Sequence, residues 1–443
     1  PEPITRMSQE IFSSGSPVFQ AKAGAAERPI AESAKEIFNV SRRENIVLFP
    51  IKKTEHDRIQ SLFKDCISFE INYPSVFNKL KEWGFIVDDL LDEVDRIRLC
   101  NKLTVFNNEY YNLILNPTLE CNFNCWYCYE NHVKGKMSRE TIEKIKKHID
   151  YIVKEKQVKS FNLAWFGGEP TLCKDTVLEV SNIVQNLQKQ YGFHYAANMT
   201  TNGYLLNDKL FRQFYQAGIT SYQITIDGWN HDKTRPHVSG KGTLQTIINN
   251  LASLSKLPPA EYSFHITLRH NILADDEDYS WYDYLYRLFG HDKRFAVLVR
   301  AVGDWGGEGV HSLSILHQDT KDVLVAKHVA YLDKIGMSCH NHRNGALAQV
   351  CYASYPHSMV FRANGKIGKC TVALDHPQNQ LGWVDPEKGI VIDPEVNCRW
   401  SFSDLKPECR SCRNVLRCMN MQCKKSEIID GKTVCLYRKS ECV

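Results

Sequence analysis

Residues 113–130 read LILNPTLECNFNCWYCYE and carry three cysteines, Cys121, Cys125 and Cys128, directly after a short apolar run. The apolar run predicts a buried strand, so the three thiols lie on the loop at its C-terminal end, where barrel folds carry their chemistry. Iron-sulfur clusters usually take four cysteines, and three ligands leave one iron of a cubane open to a small molecule. A zinc knuckle or chance spacing is the alternative interpretation, although zinc sites favour two pairs of ligands.

Composition narrows the classes of function. The chain of 443 residues is too long for one ordinary core, which predicts a catalytic domain with at least one smaller partner. Lys and Arg number 55 against 51 Asp and Glu, without a polybasic or acidic run, so we expect no nucleic-acid partner. No apolar stretch suits a membrane span and no signal peptide follows Met7. In a cytoplasmic chain, 16 cysteines are more often thiolate ligands than disulfides.

The pattern along the chain predicts four regions. Residues 1–44 lack apolar periodicity and are assigned to a flexible N-terminal extension. Residues 45–105 predict a small α/β module, with short strands at 46–49 and 67–71. Strand-like and helix-like segments alternate through residues 106–337. In residues 338–443 the periodicity is lost, loop residues dominate and cysteines multiply, as in a small domain stapled by metal.

The central region contains six β/α units, which predict an α/β fold with a parallel, barrel-like sheet. Its predicted strands are 111–115, 161–166, 195–199, 221–226, 264–268 and 295–302. Its predicted helices are 138–155, 174–190, 208–217, 243–255, 278–289 and 320–335.

Polar motifs follow the second to fifth predicted strands. FGGEP at 166–170 ends the second strand, where glycines allow close backbone approach to a ligand and Glu169 offers a negative partner. Taken alone, this motif equally fits a tight turn with Pro170 at a helix start. TTNG at 200–203, IDG at 226–228 and RHN at 269–271 end the next three strands. They supply polar groups suited to a ribose and a carboxylate, although such motifs are also common turns.

The motif CNFNCWYC, together with these ordered strand ends, resembles the radical S-adenosylmethionine (SAM) superfamily, whose pattern CxxxCxφC it matches with Tyr127 as the aromatic residue. The resemblance spans residues 106–335. It implies a partial (β/α)6 TIM barrel in which Cys121, Cys125 and Cys128 hold a [4Fe-4S] cluster. An electron from that cluster would cleave SAM and release a 5′-deoxyadenosyl radical, which takes a hydrogen atom from the substrate.

The same resemblance implies the residues around SAM. The glycine-glutamate motif is expected to hold the methionine amino group, and Thr225 or Asp227 and Arg269 to contact the ribose and the carboxylate. The full expected set is Tyr127, Gly167, Gly168, Glu169, Pro170, Thr201, Asn202, Thr225, Asp227 and Arg269.

The cysteines of the last hundred residues resemble a SPASM domain, which implies two auxiliary [4Fe-4S] clusters beside the first. The match runs from Cys351 and Gly365-x4-Cys370 to Cys409-x2-Cys412-x5-Cys418-x4-Cys423, with x4 where the family has x3. In the interleaved order of the family, the first auxiliary cluster takes Cys351, Cys370 and Cys423. The second takes Cys409, Cys412, Cys418 and Cys442, with Cys435 as the alternative to Cys442. For the fourth ligand of the first auxiliary cluster, Cys339 stands where relatives place an extra ligand, and Cys398 and Cys435 are the alternatives. The other interpretation of these cysteines is a pair of structural zinc sites.

Radical enzymes with such a tail commonly modify peptides, and residues 45–105 resemble the winged-helix peptide-recognition module of maturases for ribosomally made peptides. That resemblance rests mainly on WGFIVD at 83–88 and the acidic helix after it. Such a module can bind a leader segment as an added strand, although it is also compatible with a mere packing domain. We therefore expect a precursor peptide with a leader sequence as substrate, and a flavodoxin- or ferredoxin-like electron donor.

The expected reaction is hydrogen abstraction from a peptide side chain followed by an intramolecular C–C or ether crosslink. Thioether formation, oxidation to formylglycine on a sulfatase, and a non-enzymatic iron-sulfur or zinc scaffold are alternatives. Ring closure releases a proton, so a carboxylate near the barrel mouth is useful. Asp304, Glu308 and Asp375 are the candidates, although the glycine-rich loop that carries the first two also fits an exposed turn.

Overall fold

The computed structural model describes residues 37–40, 47–50, 66–82, 86, 92–273, 277–303, 318–341, 351–402, 404–412, 415 and 423–432. Its first strands, β1 (Ile37–Val40) and β2 (Val47–Pro50), pair antiparallel. They lie on either side of residue 44, where the sequence predicts a domain boundary. This boundary, like the others, stays a prediction.

Three helices follow in the N-terminal region: α1 (Cys66–Asn72), α2 (Pro74–Glu82) and α3 (Glu93–Val105). The strand predicted at 67–71 is therefore wrong. The apolar alternation there suggested a strand, but Ile67 and Ile71 are 74% and 71% exposed. The buried side chains are instead Phe69 and Phe77, whose rings lie 5.7 Å apart about two helical turns along the chain. Contact between two helices, rather than local pattern, decided the structure here.

The centre of the molecule is a ten-stranded mixed sheet, and its barrel half confirms the predicted α/β fold. Six consecutive parallel strands form that half: β3 (Tyr110–Leu115), β4 (Ser160–Trp165), β5 (His194–Thr201), β6 (Ile219–Thr225), β7 (His265–Ile272) and β8 (Phe295–Ala301). The helices between and after them are α4 (Arg139–Glu155), α5 (Lys174–Tyr191), α6 (Asp208–Gln216), α7 (His231–Thr234), α8 (Leu244–Ser255), α9 (Ser280–Phe289) and α10 (Gln318–Ile335). No helix within the described ranges is long and apolar enough to cross a membrane.

The two faces of the barrel strands differ in chemistry. On β4, Phe161, Leu163 and Trp165 are fully buried and join the core that includes the surrounding helices. The opposite face carries Asn162, whose amide donates to Asn112 Oδ1 at 2.6 Å and whose own oxygen accepts from Asn198 at 3.2 Å. A complete barrel fills its interior with branched apolar residues. Amides on the inner face of this partial barrel suit a polar ligand instead.

The cysteine-rich tail extends the barrel sheet. Strand β9 (Ser358–Phe361) pairs parallel with β3, and β10 (Lys366–Gly368), β11 (Gln380–Asp385) and β12 (Gly389–Ile392) continue it antiparallel. Helix α11 (Pro394–Ser401) contacts β11, and helix α12 (Lys424–Ile428) contacts α11. The expectation that loops dominate the tail is thus wrong for residues 358–401. The strands have only three to six residues, too few to show a clear period.

Ion pairs join helix α3 to the tail. Arg98 Nε donates to Asp404 Oδ1 at 2.8 Å, and Arg410 pairs with Asp92 at 3.0 Å and Asp95 at 2.7 Å. These side chains are partly exposed, so solvent screens each pair and its contribution to stability is small. Their effect is to orient the N-terminal helix next to the segment that carries Cys409.

The stability of the contact between helix α4 and the tail is expected to depend on pH. Burial, with a smaller effect of His357, lowers the pKa of His148 from 6.5 to about 4. As the pH falls, the unfolded chain therefore binds a proton at His148 before the folded chain does. The free energy of unfolding is thus expected to fall by about 2–3 kcal/mol between pH 6.5 and pH 4. Urea unfolding above pH 6.5 and near pH 4 measures this loss. His148→Leu should make the free energy of unfolding less dependent on pH, whereas His194→Leu, at an exposed position, should leave that dependence unchanged. The same pH dependence in both variants would contradict the assignment of this effect to His148.

Candidate active site

The three-cysteine loop follows β3 directly and is held by the segment after β6. Backbone hydrogen bonds run from Asn124 N to Pro236 O (2.9 Å), from Trp126 N to Thr234 O (3.0 Å) and from Val238 N to Asn122 O (2.9 Å). Pairing of this kind gives an otherwise irregular loop a defined backbone path. Cys121, Cys125 and Cys128 are thereby presented from one short, anchored loop.

The thiols of this loop lie in a low-dielectric environment. Burial raises the pKa of Cys121 to about 12 and that of Cys125 to about 11. The amide of Phe123 donates to Cys121 Sγ at 3.4 Å. Buried thiols need a positive partner to ionise, and a metal cluster supplies one.

Arg235 brings a permanent positive charge to the same loop. It is 8% exposed, and its guanidinium lies 5.7 Å from the ring centre of Phe123. Burial alone would lower the pKa of Arg235, but the charges of Cys125, Tyr127 and Asp227 hold it well above the usual value. Sequence reasoning missed this residue. The only signal was a lone arginine in a loop, and arginines are usually exposed.

Tyr127 ties the cysteine loop to the segment after β6 and to the end of β7. Its hydroxyl donates to Asp227 Oδ2 at 2.5 Å and accepts from Arg235 at 3.0 Å and from Asn271 at 2.9 Å. Thr234 also donates to Asp227 Oδ2, at 2.8 Å. The motif aromatic is therefore the centre of a buried polar network. Asp227 Oδ1 is buried without a hydrogen-bond partner among the described residues.

The glycines of the GGEP motif allow two chain segments to touch. A Cβ on Gly168 would lie 2.2 Å from Glu120 O, and one on Gly167 would lie 2.7 Å from Thr118 O. Gly168 N donates to Thr118 O at 3.2 Å and Glu169 N to Glu120 O at 2.9 Å. Both segments lead into the site, so in this structure the glycines serve the approach of the motif to the cysteine loop.

Glu169 is fully buried and has four donors. Its oxygens accept from Thr171 N (3.0 Å), Thr171 Oγ1 (2.6 Å), Thr201 Oγ1 (2.7 Å) and Asn202 N (2.7 Å). A carboxylate has about four acceptor sites. Pro170 begins the one-turn 3₁₀ helix Pro170–Cys173, as expected for a proline at a helix start. The motif therefore joins the ends of β4 and β5, and its contact with a ligand stays a prediction.

The ends of β6 and β7 complete the rim. Ile226 N donates to Arg269 O at 2.8 Å, and Arg269 Nε donates to Asn271 Oδ1 at 2.9 Å. Thr225 is buried directly before this contact. The predicted residues on strands β4 to β7 thus meet at one edge, because parallel strands present their carboxyl ends together.

The part of the chain that carries the cysteine loop and the polar strand ends is similar to known proteins. Residues 115–276 match the Radical SAM superfamily. This part of the chain is a radical SAM domain. GTP 3′,8-cyclase of Haemophilus influenzae is 31% identical over 122 residues, which cover 28% of this chain and 34% of that protein. The chain thus spans about a third of the length of this curated relative.

Solved structures extend the likeness beyond the radical SAM domain. SuiB of Streptococcus suis has a TM-score of 0.52 at 15% identity, covering 90% of this chain and 95% of that one. Native anSMEcpe with bound AdoMet has a TM-score of 0.50 at 16% identity, covering 70% and 88%. At such identities the likeness establishes the fold, that of a radical SAM partial barrel. Since the radical SAM superfamily is catalytic, the chain carries an enzyme domain.

The radical SAM domain contains donors that fit its usual cofactors. Three thiols on one loop, with an amide directed at Cys121 and the Arg235 charge nearby, suit the anionic ligand set of an iron-sulfur cluster. Asp227 Oδ1, which has no hydrogen-bond partner among the described residues, can accept a hydrogen bond from a ribose hydroxyl of SAM. Among the described residues, no three Cys, His, Asp or Glu side chains are arranged to hold a single metal ion.

Outside the radical SAM domain, the structure brings together the three cysteines predicted for the first auxiliary cluster. Burial raises the pKa of Cys370, and the nearby charges of Cys351 and Cys423 raise it further; burial and the charge of Cys423 likewise raise the pKa of Cys351. Cys339 lies elsewhere, bridging to Val297 of β8 at the opposite end of the sheet. A fourth ligand for this trio stays a prediction.

The second predicted auxiliary set is described only in part. Cys409 and Cys412 are half-buried at either end of one turn, joined by a 3.2 Å hydrogen bond from Cys412 N to Cys409 O. Cys398 is exposed on α11. The other members, Cys418, Cys435 and Cys442, lie outside the described residues.

Of the three carboxylates proposed as proton acceptors, only Asp375 can be placed. Asp304 and Glu308 lie outside the described residues. Asp375 accepts from Arg362 at 2.7 Å and lines a cavity that Tyr129, just after the cysteine loop, also lines. Its role as a proton acceptor stays a prediction.

Proposed function

We propose that the chain is a radical SAM/SPASM peptide maturase that abstracts a side-chain hydrogen from a ribosomally made precursor peptide and forms an intramolecular C–C or ether crosslink. The observation that carries the proposal is the pair of cysteine trios, one on the anchored loop after β3 and one in the tail that extends the same sheet. A second trio beside the barrel suits an enzyme that must also accept an electron after ring closure.

The substrate class is supported by fold likeness over both barrel and tail. One solved structure of this fold, native anSMEcpe with AdoMet and the Kp18Cys peptide, contains a bound peptide. In our proposal, residues 45–105 bind the leader of the precursor peptide, and a flavodoxin- or ferredoxin-like protein donates electrons. Thioether formation and sulfatase formylglycine generation are the alternative reactions of the same site.

Each group in the site has a proposed task. When bound, SAM and the cluster supply the 5′-deoxyadenosyl radical that takes a hydrogen atom from the peptide. Cys121, Cys125 and Cys128 hold the cluster, while Arg269, Asp227 and Glu169 with its motif position SAM. Asp375 takes the proton that ring closure releases, and Asp304 and Glu308 are proposed for the same task. The electron released with it passes to the auxiliary cluster of Cys351, Cys370 and Cys423.

The test uses the full-length chain reconstituted without oxygen. We expect about twelve irons per chain, for three cubanes, and 5′-deoxyadenosine on adding SAM and a reductant. With the precursor peptide encoded by the short reading frame beside the gene, each ring should remove two hydrogens from the peptide. Zinc in place of iron, or no 5′-deoxyadenosine, would refute the proposal. Gain of an aldehyde oxygen on the peptide would favour the formylglycine alternative.

A further inference from the structure

A cavity of about 320 Å³ lies between the cysteine loop and the tail. The loop side contributes Leu119 and residues 129–131. The tail side contributes Arg362, residues 372–376, and Lys425, Ile429 and Asp430 of the segment around α12. The volume is at the lower end of that of ligand pockets. It begins immediately after Cys128 and borders the tail segment that follows Cys370.

The mouth and the floor of this cavity differ. At the mouth, Asn131, Asp375, His376 and Asp430 are exposed. On the floor, Arg362 is 4% exposed, and Leu119 and Ala373 are buried. The cavity is therefore open to solvent on one side and lined by buried groups on the other, as a binding site requires.

Two buried polar atoms of the floor have no hydrogen-bond partner among the described residues. One is the acceptor Glu130 Oε2, and the other is the donor Arg362 Nε. The other charges of the lining are paired: Arg362 binds Asp375 through a different nitrogen at 2.7 Å, and Lys425 binds Asp430 at 3.1 Å. A buried polar atom without a partner costs about 1–3 kcal/mol. Such atoms in a cavity therefore indicate a partner from outside the chain.

The pair of unpartnered atoms defines the chemistry of that partner. An ammonium group needs acceptors only, and a carboxylate needs donors only, whereas one acceptor beside one donor suits a group that both donates and accepts, as a peptide amide does through its N–H and C=O. We propose that this cavity binds a peptide amide unit of the substrate, with its N–H donated to Glu130 Oε2 and its C=O accepting from Arg362 Nε. The inference rests on the proposed peptide substrate and adds two residues that recognise its backbone.

The test compares two small probes of the same shape on the full-length chain. N-acetylalanine methylamide offers amide N–H groups, and the methyl ester of O-acetyl-lactic acid replaces both with ester oxygens. Titrations followed by saturation-transfer NMR give the dissociation constants. We expect the amide to bind about tenfold more tightly than the ester, the factor that one hydrogen bond contributing about 1.4 kcal/mol provides.

Variants assign that preference to the two residues. Glu130→Leu should bind amide and ester equally, and Arg362→Lys, which lacks Nε but keeps the charge, should weaken both probes. Because Leu removes a buried carboxyl oxygen that has no hydrogen-bond partner among the described residues, the Glu130→Leu chain should unfold at the same or a higher temperature. A purely structural role would instead lower that temperature. Glu387→Leu, on an exposed turn of the tail, is the matched control and should change neither measurement.

Three results would overturn the inference: equal binding of amide and ester by the unmodified chain, an unchanged preference in Glu130→Leu, or tighter binding of free alanine than of the capped amide. These measurements need no SAM. A chain that makes 5′-deoxyadenosine but shows no amide preference refutes the cavity assignment alone. A chain that shows the preference but makes no 5′-deoxyadenosine refutes the proposed function and leaves the cavity as a peptide site.

Discussion

Replacing Cys125 with alanine is expected to remove about four irons per chain and to abolish 5′-deoxyadenosine formation. A cubane held by three thiolates has no spare protein ligand, so loss of one leaves two irons open. Arg235 would then face a site without its thiolate partner, although it is held in place by Tyr127. Iron content after anaerobic reconstitution, and chromatography of the SAM products, measure the two effects.

Cys100→Ala is the matched control for this experiment. Cys100 lies on α3, is half-buried, and belongs to none of the three predicted clusters. Its replacement should leave iron content and 5′-deoxyadenosine formation unchanged. If Cys125→Ala retains full iron and SAM cleavage, the loop after β3 does not hold the catalytic cluster.

Replacing Arg235 with methionine is expected to lower the free energy of unfolding by about 3–5 kcal/mol. Methionine keeps much of the side-chain volume but removes the charge that faces Asp227 and the donor to Tyr127. Asp227 is then a buried carboxylate without a compensating cation, and burial already raises its pKa despite Arg235. Urea unfolding of the iron-free chain, followed by circular dichroism, separates this effect from cluster binding.

The second substitution Asp227→Asn should restore most of the stability lost in Arg235→Met, because it removes the uncompensated charge. Arg399→Met, on the exposed surface of α11, should change stability by no more than about 0.5 kcal/mol. A loss in Arg235→Met no larger than that in Arg399→Met would show that the buried cation does not hold this network together.

The barrel could be predicted from sequence because most of its strands are followed by a helix long enough for its buried positions to repeat at the helical period. Helix α4, for example, was expected at 138–155 and spans Arg139–Glu155, with Ser138 capping its N-terminus. Its buried residues, such as Ile142, Ile145 and Ile149, repeat at the helical period. Long periodic segments carry enough independent positions for local pattern to dominate.

Short elements were predicted poorly. Strand β10 has three residues, and its place in the sheet depends on β9 and β11 on either side. Helix α1 shows a strand-like alternation, and packing of Phe69 against Phe77 decides its conformation. For such segments, the free energy of contact with distant parts of the chain exceeds any local preference.

The sequence by itself determined the chemistry of the candidate site: the spacing of Cys121, Cys125 and Cys128, and the order of polar motifs at successive strand ends. Only the tertiary structure decided which groups surround them. Arg235 reaches Tyr127 across 108 positions of chain, and Glu130 and Arg362 meet in one cavity although 232 positions separate them. The motif residues are recognisable because their spacing is local. The charges around them are selected by burial, which depends on segments far apart in sequence.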